Sequence, residues 1–546
     1  MTQNISLHDK FFHWKQKMRP EELILAYSKY SQGDFEGAEK MLAKHGLPSA
    51  ILAEMKYVHV WNVHSHFADP INCDINKPPE KWNVVAVIPV RGQSRGIPRK
   101  ALATLADQTL LERAVAKCRQ SRYINRIVVD TDDEKMAAAA REAGAETPYI
   151  RPRELATDRA ILQDVHRFAL YWLEVREKYF HDFFFMVSAT HPLCPAEEMD
   201  SALEHLFQAD AKNLATVAER TEQSREFFDQ WGERIVVPEG AGHLYGQCGA
   251  FAIWSRHPTY YLPKSFYQPL FGHIPHSLPY VLRSEYGLDI DTPFDLKLCE
   301  NWLKRGNLVR TLAPADFEKL WHVSPLHKPL ENSRFGAVVW INASHEEYYF
   351  YSKPVLFRTL EAVFNSQCFG SVILAGKNPA SEALAKTTGL KLYGRLPFTE
   401  KGQLNPKTNA EIRHALGPNI KDVVLINGRA SLLRSELIRK FIEQYEQRGR
   451  KTLYSASSPI TNPYWLKHIK NNQVHSVLEE DIGFRQELPQ TVHLDGVLTA
   501  YSADGVKEIK ELFHLPQNEP VIVRSKFDLI RAITITDEKG SGCHKL

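Results

Sequence analysis

The stretch that most limits what this chain can fold into is residues 84–100, VVAVIPVRGQSRGIPRK. Val84 to Val90 is an apolar run rich in β-branched residues, the pattern of a strand buried on both faces. It breaks into Arg91-Gly92-Gln93-Ser94-Arg95-Gly96 and then Ile97-Pro98-Arg99-Lys100. Two glycines let the backbone turn tightly and present its N–H groups, in a segment that also carries three arginines and a lysine. A buried strand feeding such a loop is how α/β folds build a polyphosphate site at the carboxyl end of a sheet. Gly-Lys-Ser/Thr is absent, so this is not a Walker A loop. The competing reading is a basic surface loop after a core strand.

The sequence that follows alternates strands and helices. Helices are expected at Thr109–Gln120, Glu134–Ala143 and Leu162–Lys178, with another opening at Pro195. Strands are expected at Arg126–Asp130, Thr147–Ile150 and Phe183–Val187. This alternation implies an α/β domain with a mainly parallel, Rossmann-like sheet and helices on both faces, whose ligands sit beyond the carboxyl ends of the strands. The unusual residues fall there: the basic loop, Asp130 to Asp133, and Ser188 to Pro192.

At 546 residues the chain has room for two or three domains. A net charge of +3 is too mild to argue for a nucleic-acid partner, so any basic patch is local. Seven scattered cysteines, an odd number without a CxxC pair, fit reduced thiols in a cytoplasmic setting better than a disulfide framework. The N-terminus lacks an apolar signal region, and no run of apolar residues is long enough for a membrane span.

Residues 1–81 differ in character. Glu21–Tyr30 and Asp34–His45 read as two short helices joined through Gly33, resembling one tetratricopeptide hairpin. An array needs about three such repeats. A helical cap on the neighbouring domain or on a partner subunit is therefore the preferred reading. His59, His64, His66 and Cys73 match no zinc-module spacing and read as structural. A Pro-, Asn- and Lys-rich linker follows at Pro70–Trp82.

The 88–100 stretch resembles I-P-x-R-G-x-S-[KR]-G-[IL]-P-x-K, the opening signature of the CMP-sugar synthetases, which are the CMP-sialic acid and CMP-Kdo cytidylyltransferases. Three more segments match that family in order: Val129–Asp133, Arg151–Asp158 (RPRELATD) and Leu288–Leu296 (LDIDTPFDL). The resemblance implies a GT-A-like nucleotidyltransferase domain over residues 82–308. Its reaction joins CTP to a sialic-acid-like or other 2-keto-3-deoxy sugar acid, with Mg²⁺, releasing pyrophosphate for glycan biosynthesis.

Residue types assign the roles. Arg91, Gly92, Ser94, Arg95, Gly96 and Lys100 suit a triphosphate cradle, the arginines by bidentate contact and the lysine as a point charge. Asp289 and Asp291, two apart, would face one side of a strand, where hard oxygens suit Mg²⁺; a solvated acidic strand end is the alternative. The resemblance implies that they are the metal ligands, catalytic together with Arg91 and Lys100. Asp295 would cap the next helix. The resemblance also makes Arg151 the cytosine reader, against a salt bridge to Asp158 or Glu154. The family's L-Q-P-T-S-P-L-R reads Val187 to Cys194 here, without the glutamine and arginine that help position the acidic sugar. Ser188, His191, Cys194 and Gly249 are left to line an altered sugar side. The departure keeps open a catalytically silent nucleotide-binding scaffold. Family members of this kind commonly pair, so a homo-oligomer is expected.

Beyond a linker at 309–333, residues 334–546 read as a degenerate second copy. Leu356–Ser366 follows Leu111–Ser121, and Phe527-Asp528-Leu529 follows Phe294-Asp295-Leu296. In that register Ile522 and Arg524 replace the two aspartates, and Asn342 to Glu347 replaces the basic loop with two acids. An unrelated α/β domain is the alternative.

Overall fold

The computed structural model describes residues 77–306 and 328–538, interrupted by stretches of which 256–276 is the longest, and helical residues between 22 and 46. Arg95, the His59–Cys73 group, Asn342 to Glu347 and residues 309–327 of the 309–333 linker lie outside the described residues. Near the N-terminus, Asp34 caps α1 (Phe35–Ala43) by accepting from the Gly37 N–H. Of the helix expected before it, only residues 22, 25, 26, 28 and 29 are described, all helical.

Continuing along the chain come β1 (Val84–Pro89), α2 (Leu110–Gln120), β2 (Arg126–Asp130), α3 (Glu134–Glu142), α4 (Leu162–Tyr171), β3 (Phe183–Val187), α5 (Ala196–Gln208), β4 (Asn213–Glu219), β5 (Glu226–Asp229), β6 (Arg234–Val236), β7 (Tyr245–Ser255), β8 (Leu278–Leu282) and α6 (Pro293–Arg305). After residue 328 follow β9 (Phe335–Trp340), α7 (Val355–Ser366), β10 (Phe369–Ala375), α8 (Pro379–Thr388), β11 (Lys391–Tyr393), α9 (Pro406–Leu416), β12 (Asp422–Asn427), α10 (Ser435–Gln447), β13 (Leu453–Ser457), β14 (Leu466–Lys470), β15 (Gln473–Ser476), β16 (Thr491–Ser502), β17 (Glu511–His514) and α11 (Lys526–Glu538).

Local chemistry sets several boundaries. Thr109 and Glu112 form a capping box that starts α2. Asp133 starts α3 by accepting from the Lys135 and Met136 N–H groups. Two expectations fail. Thr147–Ile150 is not a strand: only a single bridge from Val128 to Glu146 forms, because Pro148 has no N–H to donate to a ladder. The helix expected to run to Lys178 changes to a π-turn at Trp172–Arg176.

The chain divides into two compact units. One comprises Met1–Arg220, Pro238–Cys299 and Thr461–Leu488; the other comprises Thr221–Val237, Glu300–Ile460 and Pro489–Leu546. In the first, the sheet runs β8-β4-β7-β3-β1-β2. β1 is parallel to β2 and β3, and β8 to β4, while β7 runs antiparallel between the two groups, so the sheet is mixed. Val84, Ala86, Ile88, Phe183 and Phe185 pack one face against α2 and α5, and Val85, Val87, Phe184 and Met186 pack the other against α4. Both faces are covered, which explains why β1 and β3 read as unbroken apolar runs.

In the second unit the order is β11-β10-β9-β12-β16-β13-β17. Leaving out β11, this is the same strand order as in the first, with the same parallel and antiparallel directions. Each sheet also takes a hairpin from the other half of the sequence. The β14–β15 hairpin joins β7 through Leu466↔Gly246 and Lys467↔Tyr245. The β5–β6 hairpin joins β16, pairing Phe227, Phe228 and Asp229 with His493, Val492 and Thr491.

Candidate active site

The site is built where β1, β2 and β3 end. Beyond β1, the Val90 N–H donates to the Asp130 carbonyl at 2.9 Å, and the Gly92 N–H donates to Asp132 Oδ1 at 2.9 Å. The acids at the end of β2 therefore fix the start of the basic loop. A side chain at Gly92 would place Cβ 2.9 Å from Asp133 Oδ2, and one at Gly96 would place it 2.0 Å from the Asp291 carbonyl oxygen. Only glycine allows the loop to fold back onto the 289–291 segment. Lys100 completes that approach, its Nζ donating to Asp291 Oδ1 at 2.7 Å.

Asp289 and Asp291 do not lie on a strand, contrary to the expectation. They occupy the connection between β8 and α6, held by the Ile290 N–H donating to the Thr190 carbonyl and by the Asp291 N–H donating to Asp295 Oδ2. Asp295 also accepts from Thr292 N and Oγ1, so it caps α6 as expected. Ile290 is fully buried while the Asp289 and Asp291 side chains are 46% and 27% exposed, so both carboxylates still face outward together. Among the described residues no group of three or more His, Cys, Asp or Glu could hold a metal ion. Two outward carboxylates, one already facing an ammonium, fit a Mg²⁺ ion that fills its shell with water and phosphate oxygens; they do not fit a closed protein cage.

Arg151 is 5% exposed and bonds Asp130: Nε to Oδ1 at 2.9 Å and Nη2 to the carbonyl at 2.5 Å. Neither Asp158 nor Glu154 is its partner. Asp158 pairs instead with Arg91, at 2.8 Å, and Arg91 also donates to the Thr157 carbonyl. Burial pushes the Asp130 carboxyl up, and the Arg151 guanidinium opposes that rise. Removing the arginine leaves a buried carboxylate unpaired, so Arg151→Met is expected to destabilise the fold by about 3–5 kcal/mol, read as a lower urea midpoint. An unchanged midpoint would show that the pair is dispensable to the fold.

Past β3, Ser188 N–H donates to the Ala250 carbonyl in β7, and its hydroxyl bonds Thr190 Oγ1 at 2.9 Å. His191 is 3% exposed, with Nδ1 4.0 Å from Asp289 Oδ1. Burial, then the charges of Lys117 and Lys100, hold its imidazole down to about 3, so it is neutral at neutral pH. Cys194 is buried and its thiol is pushed up to about 11 by burial. Of the expected sugar-side residues, Ser188 and Gly249 are half-buried, while His191 and Cys194 are buried.

Residues 85–299 match the family model described as Cytidylyltransferase. This part of the chain belongs to the cytidylyltransferase family. It is 26% identical over 226 residues to the pseudaminic acid cytidylyltransferase of Campylobacter jejuni, covering 40% of this chain and 94% of that protein. It is 27% identical over 232 residues to the CMP-N,N'-diacetyllegionaminic acid synthase of Legionella pneumophila, covering 40% and 96%. It is 27% identical over 235 residues to the N-acylneuraminate cytidylyltransferase of an Escherichia coli strain, covering 40% and 51%.

The cytidylyltransferase domain thus brings the basic loop, the Asp289–Asp291 pair and the Ser188–Cys194 turn to one end of its sheet. Sequence reasoning passed over two features. The partner of Arg151 is Asp130, which ends a strand and had been grouped only with the acids after it. Lys117 is 7% exposed in α2. Its signal was its position beside Ala114 and Cys118 on the apolar stripe of that helix, where a solvent-facing lysine does not belong.

Proposed function

We propose that the chain is a CMP-sugar synthetase, transferring CMP from CTP to the anomeric hydroxyl of a 2-keto-3-deoxy sugar acid and releasing pyrophosphate. The observation that carries this is the closure of the basic loop onto the aspartate pair: Gly96 against the Asp291 carbonyl and Lys100 on its carboxylate. Phosphate-binding groups and metal-type carboxylates then share one space, as transfer at an α-phosphorus requires. The names of the related proteins, all acting on acidic sugars, support the substrate class. In this reading Arg91, Ser94, Arg95, Lys100 and the N–H groups of Gly92 and Gly96 hold the triphosphate. Arg151 offers Nη1 to the base. Asp289 and Asp291 would hold Mg²⁺, which supplies charge neutralisation and a lowered pKa for the attacking hydroxyl. No covalent enzyme intermediate is needed, because the hydroxyl attacks phosphorus directly.

The second unit supports a reading as a site-less copy. Asp528 Oδ2 accepts from Arg524 N and Ser525 Oγ just as Asp295 accepts from Asp291 N and Thr292 Oγ1. In this reading Arg524 stands where Asp291 does, and Ile522, 8% exposed, where Asp289 does. Neither can ligate a hard cation. Among the described residues no helix is long and apolar enough to cross a membrane, and a cytoplasmic biosynthetic role is part of the same proposal.

Titration calorimetry of the full chain with CTP, UTP, ATP and GTP, and pyrophosphate release with a panel of nonulosonic and ulosonic acids, test the reading. CTP is expected to bind at least tenfold tighter than the others, and at least one acid to be turned over. Equal affinity for all four nucleotides overturns the cytidine assignment; CTP binding without turnover of any acid favours the scaffold.

A further inference from the structure

The α2 helix carries a buried cation with no counter-charge among the described residues. Lys117 is more than nine-tenths buried, and among the described residues its one bond is from Nζ to the His191 carbonyl at 3.3 Å. It has no ion-pair partner there. An ammonium has three donors, is strongly hydrated in water, and is costly to bury without a counter-charge. Its neighbourhood is the Ser188–Cys194 turn: its charge acts on both His191 and Cys194. Through His191, whose ring lies 4.0 Å from Asp289, the ammonium is two contacts from the aspartate pair.

That position matches the geometry of a 2-keto sugar acid. In such a sugar the carboxylate is bonded to the anomeric carbon, which also bears the reacting hydroxyl. If the hydroxyl is directed to phosphorus beside Asp289 and Asp291, the carboxylate lies within a few bond lengths of it. It needs a cation on the Ser188–Cys194 side, away from the phosphate loop. A buried ammonium with unused donors fits that need, because a charge-assisted hydrogen bond gains most where water is excluded.

We infer that Lys117 is the carboxylate-binding, specificity-determining residue of this site, selecting sugar acids over their uncharged counterparts. The inference rests on the CMP-sugar synthetase reading and deepens its sugar half. Lys117 holds the acid through Nζ while its bond to the His191 carbonyl positions the turn.

The test uses the full chain in the presence of CMP and Mg²⁺, titrated with N-acetylneuraminic acid, with Kdo, and with the C1 carboxamide of each. Wild type is expected to bind at least one acid tenfold or more tighter than its amide, the scale of a charge-assisted bond. Lys117→Met is expected to bind acid and amide alike, with CMP affinity unchanged, whereas Lys117→Arg keeps the preference. A merely structural lysine would weaken acid and amide together. The inference is overturned if wild type shows no preference for acid over amide, or if Lys117→Met retains it; should the methionine variant fold poorly, Lys117→Gln, which keeps a polar group without the charge, is expected to lose the preference and overturns the inference if it keeps it. CTP binding without acid preference removes Lys117 but leaves the nucleotide reading, and acid preference without CTP binding does the reverse.

Discussion

Asp291→Asn is expected to lower CMP transfer about a thousandfold, roughly 4 kcal/mol of lost transition-state stabilisation, the scale of a metal-ion contribution. The fold should survive. The bonds that shape this connection come from the main chain, Asp291 N–H to Asp295 and Ile290 N–H to Thr190, and the substitution keeps both. What it removes is one of the two carboxylates proposed to hold Mg²⁺, which is also the Lys100 partner, a pair whose side chains are 14% and 27% exposed. Asp289→Asn should behave alike. Steady-state pyrophosphate release, with urea denaturation as the control, checks both. Near-wild-type turnover in either variant places the metal elsewhere.

Ending the chain at Arg305 is expected to abolish soluble, monodisperse protein, although every residue matched by the cytidylyltransferase model is retained. The cut removes residues 461–488, which belong to the first compact unit. It strips β14 from the edge of β7 at Tyr245 and Gly246 and leaves that edge open to pair with another chain. It also deprives the β5–β6 hairpin of its sheet. Phe227, fully buried and stacked on His493 at 6.1 Å, becomes exposed. Light scattering of the 1–305 fragment and its CTP-dependent turnover give the answer. A soluble, fully active fragment would show that neither hairpin matters.

Much of the cytidylyltransferase domain is legible residue by residue. β1 and β3 declare themselves by apolar runs, α2 by its Thr109–Glu112 box, and the loop by glycines whose necessity is a short contact with Asp133 or Asp291. These signals are local. What sequence did not reveal depends on distant partners. Nothing within Leu466–Ser476 says that it pairs with residue 246, and nothing in Asp130 alone says that Arg151 will bury it. The aspartates kept a common outward face without a strand because Ile290 anchors the connection in the core, a tertiary cause that mimics strand alternation. The charge of Lys117 suggests solvent, whereas its helical register beside Ala114 and Cys118 places it inside.

The exchanged hairpins have a consequence in time. A ribosome finishes β8 at Leu282 but does not make the β14–β15 hairpin until Ser476, about 190 residues later. At about 5–20 residues per second, the first sheet waits roughly 10–40 s with the edge of β7 uncovered. For that interval the nascent chain carries an open strand edge and a hairpin, β5–β6, with no sheet to join. Synthesis rate and chaperone cover during this window, rather than the stability of the finished protein, then govern how much of it reaches the native state.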